Sequence, residues 1–180
     1  EKYFYNITSD DGFITEGINK EYELQYSHLY APRKLREIVY SVDQSGKSLY
    51  GGSKVDLKKV NDTEVSSSDH SPIIGWAYDG NPIYGPYGYV TRQGGIISQV
   101  KSGYTKVLKP NRPSSTEFPL GFFIEDYVYL KTSDDTVLDE NNGRFCVTPE
   151  FPNGIYAYFA TINSLTDSSG VFAGYKRPTF

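Results

Sequence analysis

Few side chains in this chain can do chemistry, and most of them lie on one ribbon and one turn. The ribbon, residues 70–89, reads His-Ser-Pro-Ile-Ile-Gly-Trp-Ala-Tyr-Asp-Gly-Asn-Pro-Ile-Tyr-Gly-Pro-Tyr-Gly-Tyr and carries His70 and Asp79. The turn, Leu138-Asp139-Glu140-Asn141-Asn142-Gly143-Arg144-Phe145, carries Asp139 and Asn142. Together His70, Asp79, Asp139 and Asn142 form a candidate metal set. Its oxygen-rich character suits Ca²⁺, which takes roughly six to eight oxygens and tolerates irregular loops. The competing reading is structural: Asp79 and Asp139 satisfy backbone amides in tight turns, and His70 caps a turn or braces the ribbon. Asp139, Asn141 and Glu150 have first, third and twelfth EF-hand spacing, but Gly143 and Arg144 stand where a ligand and the sharp-turn glycine belong, so that match fails.

Other chemistry is thinly supported. Asp69 adjoins His70, but neighbours on extended chain point apart, so an acid–base pair would have to come from folding. His28 falls on the apolar side of an alternating segment, as a core or interface histidine does. Cys146, the only cysteine, excludes an internal disulfide and reads as a small buried apolar residue. There is no Gly-x-Ser-x-Gly elbow, phosphate loop, dinucleotide fingerprint or zinc spacing. The sequons Asn6-Ile7-Thr8 and Asn61-Asp62-Thr63 read as chance matches. The aromatic residues offer a binding alternative: Trp76, Tyr84 and Tyr87, with Tyr78 and Tyr89, can form a platform for a partner or a sugar, or a core whose hydroxyls bond turn backbones.

The elements that position these groups read as strands. Residues 2–7 and 21–30 alternate, 36–42 suits a strand although 31–37 can start a short helix, and 45–68 is a polar excursion. Further strands are expected at 96–101 and 104–108, and a loop at 109–119. Residues 122–130 read as a buried strand or short helix, 132–144 as a turn region, and 155–162 as a strand led in by Pro152-Asn153-Gly154. Glycine and proline fix the backbone of the ribbon at Gly75, Gly80, Pro82, Gly85 and Pro86.

Composition sets the outer limits. The chain has 180 residues, net charge −4 and no basic stripe, which disfavours nucleic-acid binding. No apolar run approaches the roughly 20 residues of a membrane-spanning helix. Seventeen Tyr and ten Phe beside one Trp point to aromatic-rich β structure. The absence of methionine and the Lys-Arg-Pro-Thr-Phe end read as a segment of a longer polypeptide.

The ribbon and the Leu-Asp-Glu turn, followed by Asn153-Gly154-Ile155-Tyr156-Ala157-Tyr158-Phe159-Ala160-Thr161, resemble the signature of YHYH-domain proteins over residues 69–162. The family's namesake Tyr-His-Tyr-His stands here as Tyr156-Ala157-Tyr158-Phe159. Both tyrosines are present and both histidines are replaced. Two imidazoles on one strand face, near an aspartate and a third histidine, would make a metal cradle; Ala157 and Phe159 cannot ligate. This altered copy, with the flanking residues 145–152, resembles those embedded in large virion or tail proteins of marine, T4-like bacteriophages.

The expected architecture is mainly β: an aromatic-rich, sandwich-like or barrel-like core with long loops and at most short helices. Residues 1–68 supply flanking strands and a surface loop, 69–162 the core, and 163–180 a linker or tail. The expected function is a non-catalytic structural module of a phage tail or baseplate protein, located in the virion. It would contact other virion chains or a host-surface glycan, and no nucleic acid or membrane. The alternatives are a metal-dependent hydrolase of the YHYH type and a carbohydrate-binding domain. No cofactor is expected, with Ca²⁺ as the one candidate.

Overall fold

A computed structural model describes residues 12–16, 24–28, 32, 35–36, 58–60, 63–66, 69–162, 164–166 and 172–175. Regular structure among them is almost wholly strand, as the composition leads one to expect, in several small sheets with no closed barrel. The strand expected over 2–7, and residues 37–42 of the one expected over 36–42, lie outside the described residues. The peripheral strands are β1 (Gly12–Glu16) paired antiparallel with β2 (Leu24–His28), and β3 (Lys58–Val60) paired with β4 (Thr63–Ser66). Residues 35 and 36 are helical, the Arg36 N–H donating to the Pro32 carbonyl at 3.1 Å. A strand beginning at Arg36 is thereby corrected in favour of the helical turn.

The central sheet has the order β11-β12-β6-β5, built from β5 (Ile73–Trp76), β6 (Pro82–Tyr84), β11 (Gly143–Cys146) and β12 (Ile155–Phe159). Its inner pair, β12 with β6, is parallel, with Tyr158 opposite Ile83 and Phe159 opposite Tyr84. The ribbon supplies two strands because its glycines and prolines turn the chain where expected. Gly80, at φ +82°, reverses it between β5 and β6, and the Asn81 N–H donates to Asp79 Oδ1 at 3.0 Å. At Gly85-Pro86 the chain passes into β7 (Tyr87–Thr91), which forms a hairpin with β8 (Gly94–Gln99). A methyl group on Gly85 would sit 2.6 Å from Arg36 Cδ, so the buried Arg36 side chain packs on the ribbon only because Gly85 lacks one.

Period-two alternation sorts β12 cleanly. Ala157 and Phe159 point into a core shared with Tyr84, Val100, Leu138 and Cys146, with Ile73 and Ile155 against it. Tyr156 and Tyr158 point to the other face. Burying a ring such as that of Phe159 stabilises by roughly 2–3 kcal/mol, and it stacks on Tyr84 at 5.6 Å. Cys146 is buried, as its type predicts, and burial pushes its thiol pKa up.

A two-stranded ladder of β9 (Tyr104–Lys106) with β10 (Tyr127–Tyr129) brackets the loop 107–126, which contains one 3-10 turn at Ile124–Asp126. Residues 122–130, expected as a buried strand or short helix, hold a 3-10 turn and a short strand, and of them only Asp126 is buried: Phe122, Ile124, Tyr127 and Leu130 are exposed. Apolar side chains are buried only where a second surface meets them. Finally, β13 (Ser164–Thr166) and β14 (Phe172–Tyr175) pair with each other, and β14 with β4. The segment expected as a tail contributes two strands to the sheet β13-β14-β4-β3.

Candidate functional site

The four residues of the candidate metal set lie on opposite sides of the central sheet. His70 is buried on the core side, its ring 6.1 Å from Phe159, 5.0 Å from Tyr84 and 5.1 Å from Tyr89. Its Nδ1 lies 2.7 Å from the Ser71 carbonyl, which can only accept, so Nδ1 carries the proton. Burial pulls the His70 pKa down to about 4; the Ser71 bond opposes that shift and the Arg144 guanidinium adds to it. At neutral pH His70 is a neutral, ring-packed core residue whose Nδ1–H braces the ribbon.

Asp79 and Asp139 belong to the other face. Tyr158 Oη donates to Asp79 Oδ2, and Tyr156 Oη to Asp139 Oδ2, each at 2.7 Å. Asp139 Oδ1 also accepts the Asn141 and Gly143 N–H groups at 2.9 and 3.1 Å, so three of its roughly four acceptor positions are used. The Tyr158 bond, with the Asn81 amides, holds the Asp79 carboxyl below its usual range. Desolvation and Asp139 push the Tyr156 hydroxyl pKa up, while Asp79 chiefly raises that of Tyr158. Both hydroxyls are protonated donors at neutral pH. Their rings meet edge to face at 5.3 Å.

Asn142 is held at φ +56°, where Asn is better tolerated than most residues. Ser102 Oγ donates to its Oδ1 at 2.9 Å, and the Phe159 N–H donates to its carbonyl at 3.2 Å. Among the described residues no three His, Cys, Asp or Glu side chains converge. The set His70, Asp79, Asp139 and Asn142 therefore does not fit a shared cation: the sheet separates its histidine from its aspartates. Glu150 of the failed EF-hand spacing accepts instead from the buried Tyr84 hydroxyl, 2.8 Å away.

The aromatic platform also divides. Tyr84 and Tyr87 are buried and present no ring face to a ligand, which corrects their candidacy as binding residues. Trp76, at the end of β5, is 59% exposed, and Tyr78 in the turn is fully exposed, so the core reading fails for those two. His28 ends β2 and is half-buried.

Besides Arg36, sequence reasoning missed the buried charges of Arg144 and Asp126. Arg144, opposite Ala157 on β11, donates to the Asp135 and Tyr89 carbonyls and lies 5.3 Å over the Phe159 ring. Asp126 accepts from Arg112 Nε and Nη2 and from the Gly121 and Phe123 N–H groups. Arg112 beside it holds its carboxyl far below the usual range. No motif announces either; each rests on contacts distant in sequence or on loop shape.

No curated protein and no solved structure matches the chain. The family model described as YHYH protein matches residues 25–169. That span takes in the ribbon, the Leu-Asp-Glu turn and the Tyr156-Ala157-Tyr158-Phe159 strand together with part of both flanks, and the chain belongs to the YHYH protein family.

Proposed function

We propose that the chain is a non-catalytic interaction module, of the kind built into phage tail or baseplate proteins, that packs against neighbouring chains of a virion. The observation carrying this reading is the excursion between β9 and β10. There Leu108, Phe122 and Ile124 are 64–83% exposed, and Leu130, just past β10, is 56% exposed. The Val107 N–H donates to the Asp126 carbonyl at 2.8 Å and joins the two ends of the excursion. The Asp126–Arg112 pair, only 2–4% exposed, ties its interior to the far end, and Phe118, Phe122 and Phe123 pack on one another at 5.1–5.4 Å. A rigid loop that displays large apolar side chains is suited to burying them against another chain. The virion setting is supported by the resemblance of the altered tyrosine strand to copies in virion proteins. The separation of His70 from Asp79 and Asp139, with Ala157 and Phe159 at the histidine positions, favours a module without catalysis.

A second copy of the chain is the first neighbour to test, by sedimentation velocity over a wide concentration series. Wild type associates, and Leu108→Asp with Phe122→Asp gives monomer without changing the thermal midpoint. A wild-type chain that stays monomeric, or association indifferent to both substitutions, overturns the reading.

A further inference from the structure

The face of the β9–β10 ladder forms one wall of an open cleft. Antiparallel register places Tyr104 opposite Tyr129 and Lys106 opposite Tyr127, so all four share that face. The turn 140–142 forms the facing wall, and the cleft encloses about 990 Å³, the upper end of the range for small-molecule sites. Tyr104 and Tyr127 are each 38% exposed there. Tyr104 is fixed at both ends: its hydroxyl donates to the Glu140 carbonyl at 2.8 Å, and its ring rests on Tyr129 at 5.6 Å.

The polar groups are set as firmly. Ser102 Oγ accepts the Tyr104 N–H and donates to Asn142 Oδ1, which orients the Asn142 amide and leaves its NH₂ to the cleft. Lys106 Nζ lies 5.9 Å from the Tyr127 ring centroid, and Glu140 is the only acidic side chain in the lining. One cation and one anion give no net charge, which is wrong for a phosphate or sulfate ligand. Held ring faces beside paired donors and acceptors match a ligand with C–H faces and hydroxyl edges. We infer that this cleft binds a neutral oligosaccharide, its sugar rings on Tyr104 and Tyr127 and its hydroxyls on Asn142, Lys106 and Glu140. The cleft shares Ile124 with the apolar excursion but not its tips at Leu108 and Phe122, and does not depend on the role of those tips.

The test is an array of neutral hexose and N-acetylhexosamine oligosaccharides with sialylated and sulfated glycans beside them, followed by calorimetric titration of the strongest neutral hit. Tyr127→Ala removes one ring face. Asn142→Gly removes the amide while keeping a residue that accepts φ +56°. Each weakens binding by roughly tenfold, the scale of one lost ring or hydrogen-bond contact. Ile96→Ser, on β8 outside the cleft lining, retains the affinity. Thermal midpoints measured alongside confirm that each variant is folded. The inference is overturned if no neutral glycan binds, if only acidic glycans do, or if either Tyr127→Ala or Asn142→Gly keeps wild-type affinity.

Discussion

Acidification from pH 7 toward pH 4 destabilises this protein through His70. In the folded chain its pKa is lowered from 6.5 to about 4, chiefly by burial. Above pH 6.5 neither the folded nor the unfolded state protonates it, and it contributes no pH dependence. Between 6.5 and 4 the unfolded chain takes up the proton and the folded chain does not, so stability falls as pH falls. A difference of about 2.5 units at 1.36 kcal/mol per unit makes the full loss about 3 kcal/mol, with about 2 kcal/mol gone by pH 5. The carboxylates held low, Asp79, Asp126 and Asp134, act below this window. An ordinary aspartate titrates at 3.8, so their stabilising contributions are lost only as pH drops through and below that value. Urea unfolding at successive pH values measures the slope, and NMR titration of the His70 ring measures its pKa directly. In His70→Asn the side-chain amide can still donate to the Ser71 carbonyl, but nothing titrates. That variant is less stable at pH 7, because the contacts with Tyr84, Tyr89 and Phe159 are lost, and its stability is flat down to pH 4.5. A wild-type profile equally flat, or the same slope in His70→Asn, would refute the placement of His70 as a neutral core residue.

Two further outcomes follow from the central sheet. A methyl group on Gly143 would lie 2.5 Å from Tyr156 Oη, so Gly143→Ala displaces that ring and breaks its bond to Asp139, costing about 2 kcal/mol of stability; in a Tyr156→Ala background thermal melting shows most of that cost gone. Restoring imidazoles with Ala157→His and Phe159→His places them on the His70 side of β12, so any Zn²⁺ uptake, read by calorimetry, depends on His70 and is indifferent to Asp79→Asn. Uptake abolished by Asp79→Asn would contradict the division of the two faces.

Much of the fold was legible where backbone chemistry forces a shape. Gly80 and the Asp79 side chain make the turn that the ribbon's composition announces, and Gly154, at φ +88°, leads into β12 as its Pro-Asn-Gly prefix indicates. Segments with no such constraint were read less well. Residues 122–130 are apolar enough for a core, yet Phe122, Ile124 and Leu130 stay more than half exposed among the described residues. Hydrophobicity states a preference for burial, while the partner surface lies elsewhere in the sequence or on another chain. Arg36 shows the opposite failure. Its charge argues for the surface, but the gap at Gly85 admits the stem of its side chain into the interior.

The candidate site was half legible for one reason, the period of two along β12. Alternation alone separates Tyr156 and Tyr158 from Ala157 and Phe159, and so predicts two faces with different work. It cannot say which polar residue joins which face, because that depends on the parallel pairing of β12 with β6 and on the turns beyond them. Those contacts deliver His70 to the inner face and the two aspartates to the outer one. On the inner face burial keeps the imidazole neutral and the Ser71 carbonyl accepts the hydrogen bond from its Nδ1–H, while Ala157 and Phe159 fill the remaining space with groups that need no partner. On the outer face the tyrosines keep charge-assisted bonds to Asp79 and Asp139 that make no use of an imidazole. The two halves of the signature are therefore physically independent, and replacing both histidines leaves the tyrosine–aspartate pairs, and the turns they brace, intact.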